Sequence, residues 1–259
     1  DYSFILNISP DHLERHGTMK KYVHSKLKLI LNQNENYYAF IDNNKYLNSE
    51  IKKHKIKKKI IKIKNNFNYK IKQITNKYFY NYNNLKNLSF IFEFAKIFKL
   101  NKKVIFKTIN SFKGLNFRQQ IIYQNSHLTI INDSKSTSFS SSINLLKSQN
   151  KIYWIVGGIA KKGDKFTLRS KYYKNIKCFI FGKNKKFFKE KLKNKIYCHY
   201  NNSLEIILKK ILLEISLKEN IHHYILFSPA AASFDKFKNF EERGLYFNKI
   251  IKKYIKKIN

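Results

Sequence analysis

Short apolar segments that alternate with helix-patterned segments run along the whole chain, and they constrain its fold more than any other feature. Toward the C-terminus, the apolar segments include Tyr153–Val156, Cys178–Phe181 and Tyr224–Phe227. Consecutive apolar positions are typical of strands that are covered on both faces of a parallel sheet. The alternation therefore predicts an α/β fold with a mostly parallel, helix-covered sheet of Rossmann type.

The same alternation begins at residue 1, and it predicts two domains. Because the chain opens directly on a strand and without Met, we expect an N-terminal portion to precede it. Lys113-Gly114 closes the first domain, so we assign 1–114 and 115–259 as separate domains. The first is predicted to contain strands Ser3–Leu6, Tyr37–Ile41 and Lys59–Ile63, with a short Lys-rich connection between the last two, and helices Met19–Leu31, Leu88–Leu100 and Val104–Phe112. The second is predicted to add a hairpin of Gln119–Tyr123 and Leu128–Ile131, strand Ile196–His199, helices Ser138–Leu146, Lys185–Leu192 and Leu204–Ile215, and a final helix.

The formal charge of +37 first suggests a protein that binds nucleic acid. However, all but four of the 53 basic residues are Lys, whereas specific phosphate recognition favours Arg. Lys, Asn and Ile are abundant in every part of the chain, as expected from drift toward AT-rich codons. We therefore do not expect nucleic-acid binding to be the main function, and keep a basic nucleic-acid-binding module as the alternative from a different class.

The remaining composition argues for a cytoplasmic protein with no membrane partner. No apolar run approaches the ~20 residues that span a bilayer, and no signal peptide is visible. Cys178 and Cys198 lie in apolar segments without metal-ligand spacing, so we expect buried, reduced thiols.

The run from Ser228 to Gly244 links the apolar segment Tyr224–Phe227 to a helical pattern. Its small residues would let backbone N–H groups approach an anion closely at the ligand-facing edge of the sheet. A tight turn followed by a helix cap explains the same residues equally well.

Asp11 and His12 follow the first strand, where a histidine could coordinate a divalent metal. An Asp-capped helix start with a packing histidine is the alternative. Lys26 lies on the next helix, and composition alone assigns it no role.

The polar run from Asn132 to Thr137 lies between a strand and a helix. Asp133 could accept from a ribose hydroxyl, Lys135 could neutralise an anion, and Thr137 could donate at the helix N-terminus. A Ser/Thr-rich helix cap is the alternative. The turn at Gly157-Gly158, followed by Lys161, could likewise approach an anion, although a Gly-Gly turn is weak evidence.

Arg118 and Arg243 are two of only four arginines in a lysine-rich chain, which suggests that the planar guanidinium matters at these positions. For Arg243 and Asp235, a structural pair that braces the turn and direct ligand contact both remain open.

Five motifs occur in an order that resembles the Mur ligases, the ATP-dependent amide-forming enzymes of peptidoglycan precursor synthesis, and in particular those that add D-glutamate. They are DHLERHGTMKKYVHSK (11–26), GLNFR (114–118), NDSKST (132–137), GGIAKKGD (157–164) and SPAAASFDKFKNFEERG (228–244). The resemblance implies the C-terminal part of a central ATP-binding domain followed by a complete Rossmann-like C-terminal domain. The P-loop and the UDP site would then lie upstream, and this chain alone would be inactive.

The resemblance also implies site residues. His12 and a carbamylated Lys26 would hold Mg²⁺, with Lys135 as a further catalytic residue. Asn84, Asn87, Arg118 and Asp133 would bind ATP. Substrate would contact Thr137, Lys161, Ser233, Phe234 and Phe240. The chain departs from the family pattern at Asn83 (usually His), Ser138 (often Asn) and Ile159-Ala160 (often Asp-Gly).

The implied reaction joins D-glutamate to UDP-N-acetylmuramoyl-L-alanine through an acyl phosphate, with ATP and Mg²⁺. The resemblance therefore implies small-molecule substrates rather than a nucleic-acid partner, and we expect a monomer. Another Mur-type amide ligase and a degenerate pseudo-enzyme are the alternatives that the sequence leaves open.

Overall fold

The computed structural model describes residues 1–8, 13–64, 71–80, 82–218 and 221–255. Its internal contacts divide the chain into two units, Asp1–Lys113 and Gly114–Asn259, one residue before the boundary expected from the sequence. No helix among the described residues is long and apolar enough to cross a membrane.

The first unit contains a three-stranded parallel sheet in the order β1-β2-β3. Its elements are β1 (Ser3–Ile5), α1 (Leu13–His16), α2 (Met19–Leu31), β2 (Tyr38–Asp42), α3 (Lys45–Lys53), β3 (Lys59–Ile63), α4 (Tyr82–Ile97) and α5 (Lys102–Ser111), with 3-10 turns at Ile71–Gln73 and Lys77–Tyr80. One face of the sheet packs on α2 and α3 through residues such as Val23, Leu27 and Leu47. The other buries Phe40 and Ile63 against Phe90 of α4.

The Lys-rich connection between β2 and β3 contains helix α3, which the sequence analysis did not predict. The side chain of Asn44 accepts from Tyr46 N at 2.9 Å and so caps the helix start. Leu47 is fully buried, and Ile51 packs against the same cluster one turn later. This apolar pair is enough to seat the helix, although lysines cover its solvent face.

The second unit contains a six-stranded sheet in the order β4-β5-β9-β6-β7-β8. Only the β4–β5 pair is antiparallel, which confirms the mostly parallel sheet and the hairpin. Its elements are β4 (Gln120–Gln124), β5 (Leu128–Asn132), α6 (Phe139–Ser148), β6 (Ile152–Gly157), β7 (Ile176–Phe181), α7 (Lys185–Leu192), β8 (Tyr197–Tyr200), α8 (Leu204–Ser216), β9 (His223–Phe227) and α9 (Phe240–Ile255).

Helices cover both faces of this sheet. Its central strands are therefore buried at almost every position. On one face, Trp154 and Cys178 pack with residues of α6 and α7, including Phe139 and Phe188. On the other, α8 and α9 cover a second cluster, in which Phe247 stacks on Phe227 with ring centroids 4.2 Å apart. This layering places the carboxyl ends of β5, β9 and β6 side by side at one edge.

Both cysteines are free thiols on neighbouring strands, where Cys178 pairs in register with Cys198. Cys178 is buried as expected, whereas Cys198 on the edge strand β8 is only partly buried.

Candidate functional site

Three loops leave the carboxyl ends of adjacent strands β5, β9 and β6, and they carry the second unit's polar motifs. The loop after β5 holds Asp133, Lys135 and Thr137. The loop after β6 holds Lys161, and the loop after β9 holds Ser233. The fold therefore gathers at one edge residues that are about 100 positions apart in sequence, as expected for the ligand edge of such a sheet.

Main-chain hydrogen bonds join two of these loops outside the sheet. Ile159 N donates to Ala232 O at 2.8 Å, and Ala232 N donates back to Ile159 O at 2.9 Å. Gly158 has a φ of 124°, and a Cβ there would lie 2.3 Å from Ala232 O. The Gly-Gly turn is thus needed for close backbone packing, and it brings the Lys161 loop beside the Ser233 loop.

Arg243 joins the same region from α9, where its side chain is completely buried. Its Nη2 donates to Ser134 O at 2.6 Å and to Ala231 O at 3.0 Å, while Nε donates to Ser134 Oγ at 3.0 Å. Ser134 Oγ donates in turn to Phe240 O at 2.8 Å. Arg243 therefore braces the loops after β5 and β9 against the start of α9.

Burial lowers the pKa of Arg243 to about 10, while the negative charges of Asp235 and Asp133 act in the opposite direction. No hydrogen bond to Asp235 Oδ1 is found among the described residues, and that atom is buried. Asp235 thus acts on Arg243 through its charge rather than through a hydrogen-bonded pair.

Asp133 is 6% exposed at the end of β5 and belongs to a buried polar network. Its Oδ1 accepts from Gln119 N at 3.1 Å, and its Oδ2 accepts from Ser228 Oγ at 2.8 Å. Ser228 Oγ also lies 2.8 Å from Ser142 Oγ of α6. Burial raises the pKa of Asp133 to about 7, although these hydrogen bonds and the charges of Arg118 and Arg243 lower it. The exposed Arg118 is therefore close enough for its charge to act on this carboxylate.

Lys135 lies over the ring of Phe240, with Nζ 3.8 Å from the ring centroid. Its main chain is fixed as well, because Lys135 N donates to Phe117 O at 3.0 Å. This cation–π contact brings together two residues that are 105 positions apart in sequence. Thr137, two residues further along, is half-buried.

The predicted substrate residues differ in exposure. Ser233 is 3% exposed, and its carbonyl accepts from Phe237 N at 3.0 Å, whereas Phe234 is 70% exposed. Lys161 is half-buried. The structure thus places Ser233 in a closed turn and presents Phe234 to solvent.

Two departures from the family pattern, at Ser138 and at Ile159-Ala160, lie where main-chain atoms make the hydrogen bonds. Ile159 takes part in the main-chain bridge, and Ala160 N donates to Asn184 Oδ1 at 2.9 Å. Ser138 is the N-cap of α6, and its N–H donates to Ser141 Oγ at 3.3 Å. Asp164 Oδ2 accepts from Phe139 N at 2.8 Å at the same helix start. Main-chain atoms at these positions are thus hydrogen-bonded with the residues that this chain has.

The first unit presents its predicted site residues on separate elements. His12 lies outside the described residues. Lys26 is exposed on α2, with Nζ 5.6 Å from the centroid of the Tyr22 ring. Asn84 and Asn87 lie one turn apart near the start of α4, and the Asn84 amide donates to Tyr78 O at 2.7 Å. Asn84 therefore supports the preceding 3-10 turn, while Asn87 is half-buried.

Sequence reasoning missed the network of Ser136, Ser142 and Ser228 behind Asp133. Serines at a helix start suggest only capping, and nothing in their spacing shows that a hydroxyl of α6 faces β9. For Arg243 a signal existed, because it is one of four arginines in a lysine-rich chain.

Comparison with known proteins places this architecture in a family. Residues 1–101 match the family described as Mur ligase middle domain. The curated UDP-N-acetylmuramoylalanine--D-glutamate ligases of Rickettsia felis and Rickettsia prowazekii are 30% and 32% identical to this chain, over 98% and 96% of its length. The ligase of the same name from Prochlorococcus marinus (strain NATL2A) is 34% identical over 95% of the chain. This chain belongs to the Mur ligase family.

The chain spans 61%, 60% and 56% of the lengths of these relatives. Two solved structures share its fold at low sequence identity. MurF from Acinetobacter baumannii aligns over 97% of this chain and 59% of its own, with a TM-score of 0.69 and 12% identity. The UDP-N-acetylmuramate-alanine ligase MurC from Thermotoga maritima aligns over 99% and 60%, with a TM-score of 0.61 and 16% identity. The α/β architecture is therefore that of Mur ligases.

Proposed function

We propose that this chain forms part of an ATP-dependent ligase that joins D-glutamate to UDP-N-acetylmuramoyl-L-alanine in the cytoplasmic synthesis of peptidoglycan precursors. The observation that carries the proposal is that relatives named for this reaction align over 95–98% of the chain. The loops at the sheet edge of the second unit support it, because their cationic and hydroxyl groups suit anionic substrates.

In the proposed reaction, a carboxylate oxygen of UDP-N-acetylmuramoyl-L-alanine attacks the γ-phosphorus of ATP, and ADP leaves. The amine of D-glutamate then attacks the carbonyl carbon of the acyl phosphate, loses a proton and expels phosphate. The protein contributes mainly positioning and neutralisation of charge in such a reaction.

The second unit supplies groups for both phosphate and amino acid. We assign Arg118 and Asp133 to the nucleotide, and Lys135 to the negative charge that develops on the transferred phosphoryl group. The contact between Lys135 Nζ and the Phe240 ring supports this, because it holds the ammonium in place without neutralising it. Thr137, Lys161, Ser233, Phe234 and Phe240 are assigned to D-glutamate or the acyl intermediate.

The first unit is assigned the metal. An unmodified Lys26 is a cation and cannot bind Mg²⁺. The donor set fits only if the ammonium loses a proton and the neutral amine then reacts with CO₂, which releases a second proton and leaves an anionic carbamate. Its exposed position on α2 makes the amine accessible to that reaction. His12 and the carbamate of Lys26 would then hold Mg²⁺, which neutralises phosphate charge. Asn84 and Asn87 are assigned to the adenine.

A matched pair of lysine substitutions in the full-length protein tests the proposal through D-glutamate-dependent phosphate release. Lys135→Met should lower kcat by about 100-fold or more, because a charge that stabilises the transition state is lost. Lys162→Met, an exposed lysine in a neighbouring loop, should leave kcat unchanged.

The same phosphate-release assay, repeated with other amino acids in place of D-glutamate, distinguishes between related ligases. Phosphate release with L-alanine or a dipeptide in place of D-glutamate would assign the chain to another Mur-type reaction. No phosphate release with any amino acid, from a folded full-length protein, would overturn the proposal of an active ligase.

A further inference from the structure

Helices α2 and α3 bring two histidines and a glutamate together at a corner of the first unit. His24 lies on α2, Glu50 lies in the last turn of α3, and His54 follows one turn later as the C-cap. Val23, Leu27, Leu47 and Ile51 pack these helices together, so the three side chains stand on a rigid base. We call this group the α2–α3 cluster.

The ligand atoms of the α2–α3 cluster lie within 4.8 Å of one another. Glu50 Oε2 is 3.3 Å from His54 Nε2, and the imidazole rings of His24 and His54 have centroids 5.2 Å apart. No described residue gives Glu50 Oε2 a hydrogen bond, although the atom is buried. A buried carboxylate oxygen without a hydrogen bond, next to two imidazoles, is the arrangement expected of a metal site.

We propose that the α2–α3 cluster binds a divalent ion of the zinc class through His24, Glu50 and His54, with water completing the coordination. Imidazole nitrogen selects zinc, cobalt, nickel or copper, whereas Mg²⁺ prefers oxygen ligands. Metal–ligand distances of ~2.0–2.2 Å need shifts on the order of 1 Å in the side chains, which rotamer adjustment of the exposed His54 can supply.

This site differs from the Mg²⁺ position that the proposed function assigns to Lys26. His24 and Lys26 are both on α2, but a separation of two residues turns them about 200° apart around the helix axis. An ion in the α2–α3 cluster would tie α2 to α3 without contacting Lys26, and it would stabilise the folded unit by mass action.

Nearby lysines oppose this ion. Lys20 lowers the pKa of Lys53 through a hydrogen bond and its charge, while the Glu50 carboxylate raises it, so the ammonium group of Lys53 lies near both Lys20 and Glu50. Lys53 is exposed. Removing the charge of Lys53 should therefore tighten metal binding, a result that a purely structural cluster would not produce.

The experiment titrates the full chain with Co²⁺, and then with Zn²⁺ in competition, in the presence of excess Mg²⁺. Visible d–d absorption of Co²⁺ reports the ligands, and the thermal midpoint reports stabilisation by Zn²⁺. His24→Ala and His54→Ala should each weaken binding by about tenfold or more, since even a supporting residue commonly costs ~10–100-fold. His127→Ala, an exposed histidine of the second unit, is the matched control.

Lys53→Ala should bind Co²⁺ more tightly than the unaltered chain. The proposal is overturned if Co²⁺ and Zn²⁺ bind equally well to the His24 and His54 variants. It also fails if equimolar Co²⁺ produces no d–d band, or if thiolate charge-transfer bands place the ion at the cysteines. Circular dichroism of each variant shows whether it is folded, and His54→Ala at the exposed end of α3 disturbs packing least.

Discussion

The two units support their predicted site residues in different ways. In the second unit, Arg243 and Asp133 are buried and hydrogen-bonded to the loops around them, so the protein itself fixes the geometry. In the first unit, Lys26 is exposed, and among the described residues its side chain contacts the ring of Tyr22. The comparison teaches that the loops of the second unit are held by the fold itself, whereas the fold leaves the side chain of Lys26 at the surface.

Replacing Arg243 should have the largest effect. Arg243→Ala removes three hydrogen bonds and leaves the carbonyls of Ser134 and Ala231 buried without this donor. We expect a loss of about 3–5 kcal/mol in the free energy of unfolding, measured by urea denaturation of the full chain.

Arg243→Lys should recover part of this loss, because it keeps the charge but not the planar fork. Arg169→Ala, at an exposed arginine, should change the free energy by less than ~0.5 kcal/mol. Equal stability of the Arg243→Ala variant and the unaltered chain would show that the loops of the second unit are not braced as described.

The charge of Asp133 should make stability depend on pH. Its pKa is about 7 in the folded chain against 3.8 as the ordinary value, so the folded state holds this proton more tightly than the unfolded state. The stabilisation is complete below about pH 4 and is lost as pH rises to about 7, by on the order of 4 kcal/mol.

Asp133→Asn should remove this part of the slope, because Asn keeps the shape but does not titrate. The measurement is the free energy of unfolding between pH 4 and pH 8 (roughly the titration range of the shifted carboxyl) for both chains. Since the other titrating groups are common to both, parallel curves would contradict the raised pKa of Asp133.

Replacing Lys26 should have the smallest effect on stability. Lys26→Ala loses only a distant contact with Tyr22 at the surface, so we expect a change below ~0.5 kcal/mol, similar to that of the exposed Lys28→Ala. In the full-length protein, the same change should abolish D-glutamate-dependent phosphate release. Full activity without added bicarbonate would refute the carbamate, and a large loss of stability would remove the contrast between the two units.

The sequence predicted those parts of the fold that depend on local pattern. Buried strands such as Tyr153–Val156 were found because every position is apolar, and the structure extends this one to Ile152–Gly157. Helix α3 was missed because Leu47 and Ile51 are its main apolar contacts and the strength of their packing depends on α2. Helix α4 begins at Tyr82, six residues before the predicted start at Leu88, since Asn-rich sequence before that point gives little helical pattern.

The candidate site was likewise predictable from the sequence only in part. Motif order indicated which loops matter, but it could not show that Arg243 reaches Ser134 and Ala231, or that Lys135 meets Phe240. Such contacts depend on the strand order β5-β9-β6, which places loops distant in sequence next to each other. Ligand contacts of the predicted site residues stay predictions.

The bridge between Ile159 and Ala232 bears on how this sequence can change over generations. Both of its hydrogen bonds join main-chain atoms, so neither requires a particular side chain at those two positions. Codon drift toward lysine, asparagine and isoleucine can therefore substitute these two residues without breaking the hydrogen bonds that pair the loops. Gly158 is the exception, because a Cβ would collide with Ala232 O. In this one turn, Ile159 should therefore tolerate substitution, whereas the adjacent Gly158 should not.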